Sequence, residues 1–585
     1  MSQKLFIFIL LVHLVSDVTA KNEFKNDIFE SPIAGTKFKP TWDDLDTRLL
    51  PEWYDRAKIG IFLHWGVFSV PSYGSEWFWS NWFVLKSKIL FFMEKNYPPG
   101  FTYQEFAPMF TAEFFEPNEW AELFSSSGAN KRDELNIRYK NLYWLLGRNS
   151  KLSVDNKLLI YKSILKPSWK YGIQLWGSAS DSNINILQRL QNVILRTIAN
   201  VPWFLTNAEI HGNLQMLTVK EEIKSSCANY KKRLANHPNV LAAQLLTVSR
   251  ETRSRRYLVL TSKHHEGFTL FPSERSFSWN SVEVGPKRDI VAELSEAVRA
   301  KGLKFGVYHS LYEWFNPIYK EDKESNFTSQ RYVYSKLWPD LKQLVNHYKP
   351  SVIWSDGDWE AYDTYWNSTK FLAWLYNESP IKDEVVVNDR WGIGIPGKHG
   401  DFYNYADRFN PGKLLEHKWE NAFTIDSKSW GYRRNAQLSE ILTIEELLQQ
   451  VVSTVSCGGN TLINVGPTKE GTISPIYQER LLQLGRWLNT NGEAIYDSSP
   501  WHHQNDSVSG DVWYTCTKTR YNAANPTAKP SPHEEITAVY AIILKWPTNN
   551  LLKLKDIAML LHNGNNRVEL LGNEGDVNVS TVHGE

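Results

Sequence analysis

The sequence predicts an α/β protein: a (β/α)8-like barrel followed by a small antiparallel β-sheet domain. Three observations carry that reading. Short apolar runs at residues 59–66, 257–268, 305–314, 352–359 and 385–392 each stop at a His, Tyr, Asp or Arg beside an aromatic side chain. Between later runs the apolar residues fall at helical spacing, as at Ile290, Val291, Leu294 and Val298, and again at Leu337, Leu341, Leu344 and Val345. From Trp501 onward the text alternates apolar and polar with turn residues between, in 512–517 and 539–545. Apolar strands with polar tips are how a parallel barrel separates scaffold from chemistry.

Taken in order, residues 1–20 carry Lys4, an apolar run at 5–15 and the small-residue site Val18-Thr19-Ala20. That pattern is a secretion leader, too short to span a bilayer, and it sets an expected mature start near Lys21. A polar lead-in precedes the first strand, which ends at His64-Trp65-Gly66; residues 21–129 form the first part of the barrel. The loop at 69–83, SVPSYGSEWFWSNWF, is dense in Trp with Glu76 at its centre and reads as a substrate wall. Residues 101–129 read as helix, with a start at Pro117-Asn118-Glu119-Trp120. Residues 130–255 break the pattern. They hold 20 Lys and Arg against 8 Asp and Glu, about +12 in a chain whose net charge is +1, and they separate a helix from the strand it should feed. We read them as an insertion, with helical spacing at 184–200. The barrel resumes over 256–496 through helices at 289–301, 332–348, 444–455 and 474–490 and a strand at 460–467. Residues 497–585 are the sheet domain.

A net charge of +1 gives no global case for nucleic acid, and a local basic cluster at Lys231-Lys232-Arg233 suits a solvated helix face equally well. No segment after the leader is long and apolar enough to hold the chain in a membrane. Sequons at Asn326, Asn367, Asn377, Asn505 and Asn578 fit a secretory route, lysosomal or extracellular. Three cysteines, Cys227, Cys457 and Cys516, are an odd count, so disulfides are not expected to hold this fold together. Aromatic residues make up 14%, with 25 Trp, which suits either stacking on sugars or a Trp-rich core.

Two carboxylates at strand tips among aromatics are the minimum for glycoside hydrolysis. Asp356, in WSDGDW beyond a buried strand, is the nucleophile candidate, and Asp358 reads as a helix cap. The set FLHWG, SEWFW, TSKHHEGF, WSDGDW, HKWE, SWGYRR and NVGP, in this order, resembles the retaining α-L-fucosidases over residues 43–129 and from 257 to the end. The resemblance implies a catalytic barrel with a C-terminal β-sandwich, release of terminal α-L-fucose from glycoproteins and glycolipids, no metal or organic cofactor, and a possible homo-oligomer. It implies Asp356 as nucleophile and His64, Glu76, Trp77, His264, His265, Tyr308, Trp354 and Arg390 as sugar-binding residues. For the acid/base it points to Glu420, beside Trp419, with Asp407 in YADRFNP as the alternative. Adjacent histidines on a strand should face opposite sides, which argues for hydroxyl recognition rather than a metal.

The chain departs from the family pattern in three places. Ala422 stands where a cysteine is usual. The insertion, through 160–180 and 187–204, resembles the tail region of retrotransposon reverse transcriptases without an Asp-Asp polymerase centre. The sandwich has fewer strands than expected. An aberrant gene model or transposon-interrupted copy would explain the last two, and a catalytically inactive fucose-binding chain is the competing reading.

Overall fold

The computed structural model describes residues 8–13, 37–126, 139, 142–148, 150–170, 181–201, 205–235, 256–518, 536–560 and 567–571. Its strands in chain order are β1 (Phe8–His13), β2 (Ile59–Leu63), β3 (Arg256–Lys263), β4 (Lys304–Ser310), β5 (Val352–Asp356), β6 (Val386–Val387), β7 (Glu420–Thr424), β8 (Asn460–Val465), β9 (Ser499–Asn505), β10 (Val512–Lys518), β11 (Ile536–Ile543) and β12 (Arg567–Leu570). Seven run parallel in one curled sheet of order β6-β5-β4-β3-β2-β8-β7. Residues 401–404 bridge its two ends. Asp401 N donates to Val387 O at 3.1 Å on one side, and on the other Tyr403 N donates to Lys418 O and Glu420 N to Tyr403 O, both at 2.9 Å.

The two-residue period of a strand sorts the side chains into two cores. Phe62, Tyr257, Val259, Tyr308, Val352, Trp354, Val386, Ala422 and Leu462 pack together inside the barrel. Their neighbours Ile61, Leu63, Leu258, Leu260, Val307, Ile353, Phe423 and Ile463 face the surrounding helices. Gly60 is an inward position left empty: a Cβ there would lie 2.4 Å from the Tyr257 ring and 2.9 Å from Leu462. The interior layer therefore needs glycine to seat Tyr257.

The helices at Ile290–Ala300, Ile444–Ser456 and Pro475–Asn491 fall where the periodicity puts them, as does the helical stretch from Val333 to Tyr348. Residues 101–129 differ from the single helix expected. A 3-10 helix, Tyr103–Met109, closed by a Thr102/Glu105 capping box, is followed by the α-helix Pro117–Ser126. Pro108 and the bond from Ala112 N to Lys469 O interrupt any continuous ladder.

The C-terminal part is a five-stranded antiparallel sheet of order β12-β1-β11-β10-β9. Its alternating residues divide as the pattern requires: Trp513, Ala538, Tyr540 and Ile542 join the barrel's outer core, and Val512, Tyr514, Val539, Ala541 and Ile543 form another. β1 comes from the stretch read as a secretion leader, with Leu10 opposite Ala541 and Leu570. An apolar run such as FILLVH suits a strand as well as a leader.

A second compact unit comprises residues 129–253 and 300–302. Its helices Val154–Ile160, Asp181–Ala199, Asn207–Asn213 and Val219–Ala235 enclose a core of their own with Leu158, Tyr161, Leu165, Ile194, Leu195, Ile198, Ile210 and Val219. The basic cluster at 231–233 falls in the last helix.

Candidate active site

A cleft of about 620 Å3, open to solvent, lies at the C-terminal ends of the barrel strands. Phe62, His64, Glu76, Trp77, His264, His265, Tyr308, Trp354, Asp356, Trp359, Arg390, Asp407 and Trp430 line it. All eight residues expected to bind the sugar are therefore together, with two of the three candidate catalytic carboxylates.

Asp356 is the last residue of β5. Tyr308 Oη donates to its Oδ2 at 2.7 Å and Arg390 Nη1 to its Oδ1 at 2.8 Å, while His265 Nε2 stands 3.6 Å from Oδ2. Gly357 follows with φ +88, and a Cβ there would strike the Tyr312 ring at 2.6 Å. The turn that frees the carboxylate from the strand is thus open only to glycine. The Arg390 guanidinium lies 4.7 Å above the Trp354 ring, and its second nitrogen donates to Asp407 Oδ1 at 2.6 Å. One planar fork therefore holds both carboxylates. Burial lowers the pKa of Arg390, but Asp407, Asp356 and Asp358 raise it more, so it stays charged. Burial alone would push Asp407 up, yet the Arg390 ion pair outweighs it and holds this carboxyl below its usual range. Asp358, buried two residues beyond Asp356, behaves in the opposite way. Burial, with the pull of Arg390 set against the push of Asp356, carries it up to about 7.

The histidines are tuned from behind. Thr261 Oγ1 already donates to Leu63 O, so it accepts from His64 Nδ1 at 3.3 Å. Ser310 Oγ donates to Tyr312 O, so it accepts from His265 Nδ1 at 2.6 Å. The Glu266 carboxylate accepts from His264 Nδ1 at 2.9 Å. Burial, then the neighbouring His264, pulls His64 and His265 well below the usual histidine range, so both rings are neutral with a lone pair on Nε2. His64 Nε2 is buried with no partner. Glu76 is fixed similarly: its Oε2 accepts from Ser429 Oγ at 2.9 Å, Trp430 N at 3.0 Å and Gly431 N at 3.3 Å. The cleft thus offers hydroxyl acceptors beside the apolar faces of Phe62, Trp354 and Trp430.

Two expectations are corrected here. His264 and His265 were expected on opposite faces, yet both line the cleft with ring centroids 4.2 Å apart. β3 ends at Lys263, and both histidines sit in the turn that Gly267 N closes onto His264 O, where strand alternation no longer applies. Glu420 was expected as the acid, yet it is absent from the cleft. It is the first residue of β7, whereas Asp356 is the last of β5, so it lies at the opposite end of the strands, 0% exposed. Tyr54 Oη at 2.7 Å, Trp354 Nε1 at 3.0 Å, Asn404 Nδ2 at 3.2 Å and the Tyr257 hydroxyl all donate to its carboxylate. Burial raises its pKa against those four donors. Phe62, Trp359 and Trp430 were not singled out as binding residues. Trp359 and Trp430 sit in WSDGDW and SWGYRR, and Phe62 shares the inward parity of His64.

A larger cleft of about 850 Å3, lined in part by Trp42, Arg48, Tyr376, Asp401 and Lys418, lies towards the strand starts. Two of its charged groups are paired, Arg48 with Asp401 at 2.9 Å and Lys418 with Asp55 at 2.5 Å.

Comparison with known proteins places this geometry. The family model for α-L-fucosidase matches residues 28–130 and 242–493, and that for the α-L-fucosidase C-terminal domain matches 504–584. Plasma α-L-fucosidase of Homo sapiens is 43% identical over 549 residues, covering 93% of this chain and 86% of the relative. Tissue α-L-fucosidase of Homo sapiens is 39% identical over 546 residues, with the same coverage of both chains. Among solved structures, a Thermotoga maritima α-fucosidase in complex with a mechanism-based inhibitor matches with a TM-score of 0.52 at 28% identity, over 83% of this chain and 84% of that one.

Proposed function

The chain belongs to the α-L-fucosidase family and is a glycoside hydrolase, and from that premise we propose how its own residues release terminal α-L-fucose. Asp356 attacks the anomeric carbon and forms a covalent fucosyl ester. Asp407 gives a proton to the departing glycosidic oxygen, then takes one from the water that hydrolyses the ester. The observation that carries this reading is the shared Arg390 fork, which holds a buried and a half-exposed carboxylate in one cleft; the Asp407 side chain is 45% exposed. Arg390 keeps Asp407 ionised in the free site. A sugar seated over Asp356 strips water from Asp407 and raises its pKa towards that of an acid. Neutral His64 and His265 accept from sugar hydroxyls, with His264 and Glu76 beside them. Tyr308 holds Asp356 in line, and Phe62, Trp354 and Trp430 cover the apolar face and methyl group.

Glu420 has no path to a leaving group and serves the barrel interior in this account. A fucose-binding chain without catalysis would have no use for the paired carboxylates. Hydrolysis of para-nitrophenyl α-L-fucoside by the secreted chain is expected, and Asp356→Ala should lower kcat by roughly a thousandfold or more. Turnover unchanged by that substitution would overturn the assignment.

The substrates are fucosylated glycans, and the chain follows the secretory route to the lysosome or the extracellular space, the second in keeping with the name of its plasma relative. The unit at 129–253 is an inserted module of reverse-transcriptase-tail character, in keeping with the gap from 131 to 241 between the two matched stretches. A transcript encoding the insertion in frame would rule out an erroneous gene model; one joining residue 129 to 257 would support it.

A further inference from the structure

We propose that the hairpin tip at residues 83–91 is a docking device for the surface of a lipid bilayer carrying anionic headgroups, holding the cleft towards lipid-borne sugars. The helix Phe78–Phe83 ends in three consecutive exposed apolar residues, Phe83 at 68%, Val84 at 60% and Leu85 at 68%, and the next helix, Ser87–Asn96, adds Phe91 at 66%. Four large apolar side chains so exposed in one short hairpin mark an interaction surface. The tip is built rather than frayed. Val84 N donates to Ser80 O at 3.1 Å, Leu85 N to Trp82 O at 3.0 Å and Lys86 N to Asn81 O at 3.1 Å, while the Lys86 ammonium caps Asn81. Leu85 holds φ +55, a conformation leucine rarely adopts, and it keeps its side chain outward. The second helix is anchored through Ile89, Phe92 and Met93, which are buried.

The choice of partner rests on charge and position. Lys86 and Lys88 are exposed among the apolar residues of the tip, and residues 83–91 hold no acid, the combination that pairs interfacial insertion with attraction to anionic lipid. The tip also continues the cleft wall. Trp77, at the start of the same hairpin, lines the cleft and meets Trp314 at 5.1 Å; the adjacent Phe315 meets Trp79 at 4.2 Å and Phe83 at 5.2 Å. Loops after β3 and β5, at the same end of the barrel, expose Phe277 at 86% and Tyr362 at 64%. No helix among the described residues is long and apolar enough to cross a membrane, so the contact is peripheral.

The test is co-sedimentation of the full secreted chain with phosphatidylcholine vesicles, with and without roughly a third phosphatidylserine. Binding to the anionic vesicles that weakens with salt is expected. The double variant Val84→Ser/Leu85→Ser should weaken it at least about tenfold, and Lys86→Glu/Lys88→Glu should do so with the apolar residues intact. Turnover of a soluble fucoside and thermal melting should be unchanged in both variants. Vesicle binding needs no hydrolysis, so its failure is separable from failure of the catalytic assignment. No sedimentation with either vesicle, binding indifferent to both variants, or a dimer by light scattering that the serine variant dissolves would each overturn the proposal.

Discussion

At the residue scale the account turns on which carboxyl moves the proton. Removing a general acid costs most when the leaving group is poor. Asp407→Ala should lower kcat/KM by roughly 10²–10⁴ on a glycan or nitrophenyl fucoside, recover much of it on a dinitrophenyl fucoside, and respond to added azide. Glu420→Gln should show none of these signatures and should instead lower the melting temperature, since it disturbs a carboxylate with four donors. Asp358 gives a pH signature of its own. Its folded pKa of about 7 lies above that of an unfolded aspartate, so the folded state keeps a proton that the unfolded state has released. Stability must therefore fall as pH rises from about 4 to 7. Asp358→Asn should melt higher than the parent at pH 8 and match it near pH 4, a crossover that a pH series of melting curves detects. His64, His264, Asp356 and Arg390 could be placed at the cleft from sequence because each stands just beyond an apolar run, whereas Asp407, in YADRFNP, has no such run before it. Glu420 was singled out by the HKWE motif alone, whereas the apolar Ala422, Phe423 and Ile425 beyond it show that a strand begins there.

At the element scale the barrel is an alternation of inward and outward side chains, with Gly60 the inward gap that admits Tyr257. Gly60→Ala should destabilise the chain by roughly 1–3 kcal/mol, measured by urea unfolding, because the new methyl must displace a ring that also holds Glu420. Strands and helices with clear periods were found at the right residues. The bridging segment at 401–404 was not, since it closes the sheet by hydrogen bonds to Val387, Lys418 and Glu420 without a strand-like run of its own. The break between Tyr103–Met109 and Pro117–Ser126 was likewise hidden, because the bond from Ala112 N to Lys469 O that forces it comes from a residue far along the chain.

At the scale of the whole molecule, residues 129–253, which begin where the charge balance changes, hold a buried core of their own. Whether such a segment can build a core is set by how its apolar faces pair, which composition does not reveal. Calorimetry of the full chain should resolve a transition that Leu195→Ala lowers without moving the melting of the barrel, and deletion of residues 130–253 should abolish it. The most direct measurement of the whole account is trapping the sugar on the protein. A 2-deoxy-2-fluoro-α-L-fucosyl fluoride slows the second half of a double displacement and leaves the ester in place, so peptide mapping reads its site. The account predicts one fluorofucosyl group on the peptide containing Asp356, and loss of both label and activity in Asp356→Ala. Label on another carboxylate, or hydrolysis of fucosides by a chain that never accumulates an ester, would contradict it.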